Sequence, residues 1–373
     1  MGRLLMLGWA VLALGCSGDV RKPPVQVQLD QVMGGKPAPG FARALASRTF
    51  RFPEDHGPHP EYATEWWYLS GNLETPQGRR FGYQFTLFRI ALSPKEPAAD
   101  SAWRTREIYL GHSAITDVAG GMHYSAERLS RAALELAGAV AEPLAVWLES
   151  WSLQGEGRPF PIRASAEGDD FGLDLTLESG AKPVVLQGEG GLSRKSASPG
   201  NASYYYSLTR LPTRGRLRVG DVRYRVSGES WLDREWSSSA LAAGQSGWDW
   251  FALQLADNRE LMFYRLRDRD GGTHPCSRGS LVGPDGHYRS LAPADVELVP
   301  LRYWHAEDGT GYPVAWRLRV PEAALDLRVD AVLDDQLMNH AVRYWEGAVD
   351  VSGSHAGRGY LELSGYAAPP AGK

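Results

Sequence analysis

The sequence is poor in the features that mark several protein classes. Its 373 residues include only two cysteines, which is too few for a disulfide framework. The net charge of −4 argues against a nucleic-acid partner, because phosphate backbones are bound by basic surfaces. No H-E-x-x-H, P-loop or G-x-S-x-G motif is present. We therefore expect no metal and no other cofactor, and we interpret His56 and His59 as residues of a Pro-Gly loop.

Long apolar runs are also scarce, and the one clear run lies at the start of the chain. Arg3 precedes the apolar segment 4–14, which has the length of a signal-peptide core and is too short for a membrane-spanning helix. A glycine and Cys16 follow, as at the cleavage site of bacterial lipoproteins, where the cysteine becomes lipidated. An ordinary secretory signal cut nearby is the alternative. We expect residues 1–15 to be removed and residues 16–45 to tether a lipid-anchored protein to the cell envelope.

Aromatic residues are abundant, with 13 Trp, 16 Tyr and 10 Phe. From residue 64 onward, short segments rich in Val, Tyr, Trp, Phe and Thr alternate in polarity and end in turn signals, as in Trp66–Leu73 and Trp248–Leu255. Helical periodicity is scarce. The pattern predicts an all-β protein built from sandwiches or barrels.

A faint internal repeat divides this β-rich region. A Trp-rich strand, a turn and a second strand occur at Glu65–Arg89 and again at Trp248–Arg267. The turn-forming residues that cluster after Pro212 indicate a boundary between the two copies. We therefore predict an N-terminal domain over residues 46–214 and a C-terminal domain over residues 215–373.

Turn lengths predict which side chains share a face of each hairpin. With a two-residue turn at Asp257-Asn258, the apolar face of the second hairpin contains Asp249, Phe251, Leu253, Met262, Tyr264 and Leu266. The other face contains Trp248, Trp250, Arg265 and Arg267. Burial in an apolar row is expected to raise the pKa of Asp249, and Arg234 is its predicted ionic partner inside the second barrel or at its mouth.

The first hairpin is expected to carry part of a binding pocket. With a four-residue loop at Thr75–Gly78, one face contains Glu65, Trp67, Leu69, Gln84, Thr86 and Phe88. Polar groups placed among aromatic rings in this way are typical of a pocket rather than a core.

Several Trp-centred strings together point to a known family. They include Glu65-Trp66-Trp67-Tyr68, Gly111-His112-Ser113-Ala114, Ser230-Trp231-Leu232-Asp233-Arg234-Glu235-Trp236, Gly247-Trp248-Asp249-Trp250-Phe251 and Tyr344-Trp345-Glu346-Gly347. Over residues 60–367 the sequence resembles the AttH-like / carotenoid 1,2-hydratase (hydroxyneurosporene synthase) family of lipocalin-like proteins. The resemblance implies two lipocalin-like antiparallel β-barrels in tandem, with few short helices. It also implies chemistry on acyclic carotenoids or other polyenes, or a lipoprotein associated with an ABC-type permease.

Hydration of an alkene needs a proton donor, aromatic faces for the cation, and a base that activates water. The resemblance implies a His-x-Trp near residues 234–236 and a Tyr-x-Asp near residues 264–266. Trp236 and Tyr264 match this pattern, whereas Arg234 and Leu266 stand where the catalytic His and Asp are expected. Arginine cannot donate a proton at neutral pH. The candidate catalytic residues are Asp249, Asp233, Glu235 and Tyr264.

Three functions remain open at this stage. The first is a lipid-anchored binder of a hydrophobic lipid, isoprenoid or polyene, working with a transporter. The second is a hydro-lyase, cyclase or isomerase of the carotenoid 1,2-hydratase type, and the third is an interaction scaffold with filled barrels. The predicted ligand-binding residues are Glu65, Trp67, Gln84, Trp231, Trp236, Trp248 and Trp250. An open apolar cavity with a buried carboxyl group would favour the enzyme.

Overall fold

The computed structural model describes residues 26–29, 39–95, 101–239 and 241–366. The predicted signal peptide, the lipidation site Cys16 and much of the tether lie outside these described residues. Within them, no helix has the length and apolar character that crossing a bilayer requires.

The described part of the chain is built from strands, which confirms the predicted all-β class. In chain order the strands are β1 (Val27–Gln28), β2 (Thr64–Glu74), β3 (Arg80–Ala91), β4 (Glu107–Asp117), β5 (Met122–Arg131), β6 (Ala137–Val140), β7 (Ala145–Leu148), β8 (Trp151–Gly155), β9 (Ile162–Glu167), β10 (Phe171–Leu177), β11 (Val185–Leu186), β12 (Leu192–Arg194), β13 (Ala202–Val219), β14 (Val222–Ser237), β15 (Gln245–Leu255), β16 (Glu260–Asp268), β17 (Arg278–Val282), β18 (Tyr288–Leu291), β19 (Glu297–His305), β20 (Gly311–Val320), β21 (Leu325–Ala331), β22 (Leu337–Asn339), β23 (Val342–Gly353) and β24 (Gly357–Ser364). Short 3₁₀ turns occupy Glu54–His56, Pro293–Asp295 and Pro321–Ala323.

These strands form two large curled, barrel-like sheets with similar but not identical strand orders. The first sheet runs β5-β4-β3-β2-β14-β13-β10-β9-β8-β7-β6, and the second runs β18-β17-β16-β15-β24-β23-β21-β20-β19. In chain order, each sheet begins with a four-strand meander, β2–β5 in the first and β15–β18 in the second. The final strand of the first sheet, β14, pairs with β2, and the final strand of the second, β24, pairs with β15. The two predicted hairpin repeats, β2–β3 and β15–β16, therefore take equivalent places in the two sheets. Neighbouring strands are antiparallel except for β1, which lies parallel to β23.

The predicted domain boundary between residues 214 and 215 needs correction. That position falls inside β13, which pairs with β14, and β14 closes the first sheet against β2. The turn signals there belong to a tight hairpin, because Val219 pairs with Val222 and Gly220 adopts the positive φ of 55° that two-residue turns need. The chain passes from the first sheet to the second between Ser237 and Gln245.

Both predicted hairpin registers are wrong by one residue. The amide of Leu255 donates to the carbonyl of Arg259, which makes a three-residue loop with Asn258 at φ 64°. Asp249 therefore lies opposite Arg265 rather than Leu266. A shift of one residue moves a whole row of side chains to the other face. Arg265 and Arg267 thus share the face of Asp249, and the face of Trp248 and Trp250 carries Tyr264 and Leu266 instead.

The first hairpin shifts in the same way. Glu74 pairs with Arg80, so the loop has five residues rather than four. Trp67 lies opposite Leu87, whereas Gln84 lies opposite Ser70. The predicted mixed face is therefore divided, with Glu65 and Trp67 on the inner side of the sheet and Gln84 and Thr86 on the outer side.

The interior of each barrel is filled, and the two sheets pack against each other through their outer faces. Trp67, Trp151 and Trp236 are fully buried inside the first sheet, and Trp316 and Trp345 are fully buried inside the second. A separate aromatic cluster lies between the sheets and includes Tyr68, Tyr205, Trp231, Trp250 and Tyr264. An open cleft borders this cluster.

Candidate functional site

The cleft between the two sheets has a cavity volume of about 110 Å³. Its lining consists of Leu29, Trp66, Tyr68, Thr86, Phe88, Ser193, Lys195, Tyr205, Asp233, Glu235, Ser239, Leu241, Trp248, Trp250, Tyr264, Leu266 and Glu362. Aromatic and aliphatic side chains form most of the wall, and a few polar groups converge on it. This composition is the usual one for a small-molecule site.

Strand alternation decides which residues reach the cleft. On β14, Asp233 and Glu235 point into the cleft, whereas Arg234 and Trp236 point into the first barrel. Alternate residues of each Trp-rich string therefore face the barrel interior and the contact between the two sheets, and both faces of these strands are covered. Such strands lack the simple polar-outside pattern that identifies a buried face in sequence.

The carboxyl group of Asp233 in the cleft wall accepts three hydrogen bonds from side chains. Its side chain accepts hydrogen bonds from Tyr205 Oη at 2.6 Å, Ser207 Oγ at 2.5 Å and Trp231 Nε1 at 2.7 Å. Burial raises the pKa of Asp233 to about 7, although these three hydrogen bonds oppose the rise. At neutral pH the carboxyl group can therefore either donate or accept a proton.

Glu362 is a second acid of the cleft, and no sequence pattern indicated it. Trp248 Nε1 donates to its Oε1 at 2.5 Å. The side chain keeps some exposed surface at the cleft, but most of it is enclosed by protein. This enclosure, with the charges of Asp233 and Glu235, raises the pKa of Glu362 to about 7 against the lowering effect of Trp248.

Glu346 lies behind Glu362, opposite it in the β23–β24 pair. It is 1% exposed, and neither carboxyl oxygen has a hydrogen-bond partner at normal distance among the described residues. Burial raises its pKa well above the usual value, and the charge of Glu362 raises it further. Tyr68 and Tyr344 come close enough to favour its charged form, but they do not overcome the burial.

Polar groups also line the wall formed by β12, β14 and β16. Lys195 Nζ lies 3.1 Å from Glu235 Oε1 and 5.6 Å from the centre of the Trp66 ring. The hydroxyl groups of Tyr264 and Ser193 are 2.7 Å apart. Burial raises the pKa of Tyr264 above its usual value, so this hydroxyl group keeps its proton at neutral pH.

The structure brings together Asp233, Glu235 and Tyr264, three of the four predicted catalytic residues. The fourth, Asp249, lies elsewhere, on the inner face of β15 with Phe251 and Leu253. It is fully buried and pairs with Arg265 at 2.6 Å and with Arg267, and Tyr366 donates to it at 2.8 Å. The expected ion pair of Asp249 therefore exists, but with these arginines instead of Arg234, since the register differs from the predicted one.

The predicted ligand-binding residues also separate. Trp248 and Trp250 line the cleft, and Trp231 supports it by donating to Asp233. Gln84 lies between the sheets, where its Nε2 is 2.5 Å from Thr86 Oγ1. The remaining three residues, Glu65, Trp67 and Trp236, are inside the first barrel and away from the cleft.

The family-model comparison covers almost all of the described chain. The AttH-like model matches residues 43–366. The chain belongs to the AttH-like family. A comparison with curated proteins found no match.

Solved structures share this AttH-like fold. A Nitrosomonas europaea protein described as AttH has 34% identity and a TM-score of 0.78, over 88% of this chain and 100% of that one. Kievitone hydratase from Nectria haematococca has 14% identity and a TM-score of 0.67, over 89% of this chain and 97% of that one. CghA in complex with Sch210972 has 14% identity and a TM-score of 0.52, over 91% and 98%. At 14% identity the last two support the fold alone.

In this AttH-like protein the two positions that depart from the hydratase pattern have different surroundings. Leu266 lines the cleft beside Tyr264. Arg234 lies inside the first barrel, where its Nη2 is 2.9 Å from Glu65 and its guanidinium group lies 4.0 Å from the centre of the Trp67 ring. Arg234 is therefore a structural cation, and the acids of the cleft are Asp233, Glu235 and Glu362.

His56 and His59, the two histidines of the Pro-Gly loop, belong to a network of ring and polar contacts. In the described part of the chain, no group of three or more His, Cys, Asp or Glu side chains is arranged to hold a metal ion. His59 instead stacks on Trp236 with 3.7 Å between ring centres, and it contacts Asp55 at 3.1 Å. These contacts hold the loop over one end of the first barrel.

Proposed function

We propose that the cleft binds a hydrophobic ligand of the lipid, isoprenoid or polyene class, and that Asp233 and Glu362 exchange protons with it. The reaction would add or remove water at an alkene, or close a ring through the same kind of cation. The proposal is carried by one observation, namely that two carboxyl groups, those of Asp233 and Glu362, lie in the wall of an aromatic cleft, where burial raises the pKa of each to about 7.

The chemistry follows from the residues present. One carboxyl group in its protonated form gives its proton to an alkene carbon, which leaves a cation on the neighbouring carbon. The indole faces of Trp66, Trp248 and Trp250 are suited to stabilise that cation. Water then attacks the cation, and the second carboxyl group, in its charged form, takes the proton that the water loses. A pKa near 7 populates both forms at neutral pH, which these two roles require.

One structural neighbour bears the name of an enzyme of this reaction class. Kievitone hydratase has the same fold, although its low identity transfers neither substrate nor residues. Arg234 and Leu266 still depart from the carotenoid-hydratase pattern, so we do not propose an acyclic carotenoid as the substrate.

Binding without turnover is the second candidate function. It is favoured by the three donors around Asp233, because such a set also suits a carboxylate that only orients a ligand. In that case the cleft would hold and release a hydrophobic molecule, and a permease would be the natural recipient.

Deuterium incorporation separates these two functions. The protein is incubated with farnesol in heavy water, and recovered farnesol is analysed by mass spectrometry for deuterium at alkene carbons. The enzyme proposal expects incorporation, which falls at least about 100-fold in Asp233→Asn and in Glu362→Gln. Asp117→Asn is the matched control, since Asp117 is a buried acid paired with Arg79 away from the cleft. If farnesol binds saturably but takes up no deuterium, the catalytic function is rejected for this ligand and the binding function is supported.

We further propose export and lipid anchoring at Cys16. Support comes from the apolar segment 4–14 and the following Gly15-Cys16. Expression of the full chain in a bacterium should place it in the membrane fraction with acyl chains attached, and Cys16→Ser should remove both properties. Acylation that survives this substitution would contradict the proposal.

A further inference from the structure

Each acid of the cleft wall lies directly opposite an aromatic residue on the neighbouring strand. The side chains of such cross-strand partners stand on the same face of a sheet, about 5 Å apart at their Cβ atoms. All members of these acid–ring pairs line the cleft. The pairs are Glu235–Trp66 and Asp233–Tyr68 across β14 and β2, and Glu362–Trp250 across β24 and β15.

The first of these acid–ring pairs already holds an ammonium group. Nζ of Lys195 lies 3.1 Å from Oε1 of Glu235 and 5.6 Å from the centre of the Trp66 ring. A carboxylate and an indole of the cleft wall thus accommodate a primary ammonium ion that belongs to the chain itself. Lys195 is also the only lysine or arginine in the described lining of the cleft.

The other two acid–ring pairs have neutral partners. Within the described chain, Asp233 accepts hydrogen bonds from two hydroxyl groups and one indole N–H, and Glu362 accepts one from the indole N–H of Trp248. Neutral donors orient a carboxyl group but bring no full positive charge. Because Lys195 is paired with Glu235, the described lining contains no further basic residue for these two acids.

These two acid–ring pairs lie next to each other across the contact between the sheets. The rings of Tyr68 and Trp250 meet edge to face, with 5.2 Å between their centres and 79° between their planes. Both residues are buried, and the hydroxyl oxygen of Tyr68 has no hydrogen-bond partner among the described residues. Two carboxyl groups, two aromatic rings and an unsatisfied hydroxyl group are thus brought together in one part of the wall.

We propose that the cleft selects hydrophobic ligands that carry an organic ammonium group, and that this group binds at the acid–ring pairs of Asp233 and Glu362. The carboxylates attract the charge directly, and the faces of indole and phenol rings attract a cation most strongly where water is excluded. Desolvating a carboxylate without a counter-charge is costly, so the ligand would supply the charge that the protein lacks there.

This inference rests on the proposed function, because it takes the cleft as the site of a hydrophobic ligand. It requires no turnover. In the reaction proposed above, the ammonium group would take the place of the alkene cation, since both are positive charges on a hydrophobic chain. The opposite preference, for an anionic head group bound by Lys195, is an outcome that the test has to distinguish.

Three compounds with the same hydrocarbon chain isolate the effect of charge. They are farnesylamine, which is a cation, farnesol, which is neutral, and farnesoic acid, which is an anion. Isothermal titration calorimetry is carried out at about pH 8, where carboxyl groups with pKa values of about 7 are mostly ionised. We expect farnesylamine to bind at least about tenfold more tightly than farnesol, and farnesoic acid to bind more weakly than farnesol.

Variants then locate the preference within the cleft. Asp233→Asn and Glu362→Gln keep the shape of each side chain but remove its charge. Each should weaken the binding of farnesylamine about tenfold while changing that of farnesol less than about twofold. Asp117→Asn is the matched control, because Asp117 is a buried acid paired with Arg79 away from the cleft, and it should change neither affinity.

Lys195→Met separates a cation site from an anion site. It removes the ammonium group beside Glu235 and leaves that carboxylate free, so farnesylamine should bind at least as tightly as to the wild type. If Lys195 instead held an anionic head group, farnesoic acid would be the tightest ligand of the three and this variant would abolish its binding.

The outcomes separate this inference from the proposed function. Equal affinities of farnesylamine and farnesol, or tighter binding of farnesoic acid, would overturn the inference but leave the binding of a hydrophobic ligand intact. A preference for farnesylamine that survives both Asp233→Asn and Glu362→Gln would also overturn it. Preferential binding of farnesylamine without deuterium uptake by farnesol would support it and reject the catalytic function alone. If none of the three compounds binds, the inference and the proposed binding function are both wrong for this chain length.

Discussion

Trp66 and Trp67 are neighbours in the chain but lie on opposite sides of the first sheet. Trp66 forms part of the cleft wall, whereas Trp67 is 2% exposed inside the barrel and donates its indole N–H to the carbonyl of His56 at 2.8 Å. The same kind of side chain therefore lines the cleft at one position and fills the barrel core at the next.

Alanine substitutions should separate these two roles. Trp67→Ala should lower the free energy of unfolding by about 3–5 kcal/mol, because it leaves a cavity in a filled core. Trp66→Ala should cost less stability but should weaken binding of 1-anilinonaphthalene-8-sulfonate to the cleft. Denaturant unfolding and fluorescence titration measure the two effects. Weaker dye binding by folded Trp67→Ala with no effect from Trp66→Ala would reverse our assignment.

Glu65 should be far more important for folding than an exposed acid. It is 0% exposed and lies between Arg89 and Arg234, whose charges hold its pKa well below the usual value although burial alone would raise it. Glu65→Gln should lower the free energy of unfolding by about 3–5 kcal/mol, because buried Arg234 loses its counter-charge and buried Arg89 is left with Glu107 alone. Asp174→Asn at the exposed Arg163 pair is the control, with an expected loss below about 1 kcal/mol. Equal losses for the two variants would contradict this account.

The raised pKa of Asp233 predicts how stability depends on pH. Its pKa is about 7 in the folded chain against the ordinary 3.8, so the folded state binds the proton more tightly. The stabilising contribution is therefore complete below the ordinary pKa and is lost as pH rises through about 7. Across this range the wild type should lose on the order of 2–4 kcal/mol relative to Asp233→Asn, since a tenfold change in proton affinity corresponds to about 1.4 kcal/mol. Parallel stability curves in denaturant titrations would show that Asp233 titrates normally.

Trp248 should hold down the pKa of Glu362. Its indole N–H donates to the carboxyl group and favours the charged form. Trp248→Phe keeps an aromatic ring but removes this donor, so the pH at which Glu362 is half protonated should rise by about one. Carbon-detected NMR of the Glu362 side chain measures the change. Trp250→Phe is the matched control, because Trp250 donates to Tyr205 instead, and an equal rise in both variants would rule out a specific effect of the hydrogen bond.

The sequence predicted the fold class for a physical reason, whereas the candidate residues of the site came from the family resemblance. Alternation and β-branched or aromatic composition report directly on pleated, half-buried strands, and the two hairpin repeats occupy equivalent places. Asp233, Glu235 and Tyr264 were predicted as candidates and do meet in the cleft. The family resemblance supplied the barrel pair, which alternation alone left open as barrels or sandwiches.

The strand register and the packing of one sheet over the other could not be predicted from the alternation of residues. A loop longer by one residue, as at Asn258, exchanges the two faces of a hairpin, and several loop lengths were compatible with the turn residues. Glu362 lies between Leu361 and Leu363, whose side chains face the barrel core. The alternation of apolar and polar residues along this strand is therefore typical of an acid that points to solvent. Only the packing of the other sheet over that face turns it into a group of the cleft wall.

The pairing of β14 with β2 constrains the order in which the first sheet can form. Glu65 and its partner Trp236 are separated by most of the first sheet, so the meander that begins with β2 keeps an open edge until β14 pairs with it. A nascent chain that stops at residue 214 lacks the strand that would cover this edge. Even a closed first barrel exposes the aromatic side chains that later face the second one. Until the second sheet packs on it, the face that becomes the cleft is therefore exposed apolar surface, which is a general aggregation hazard.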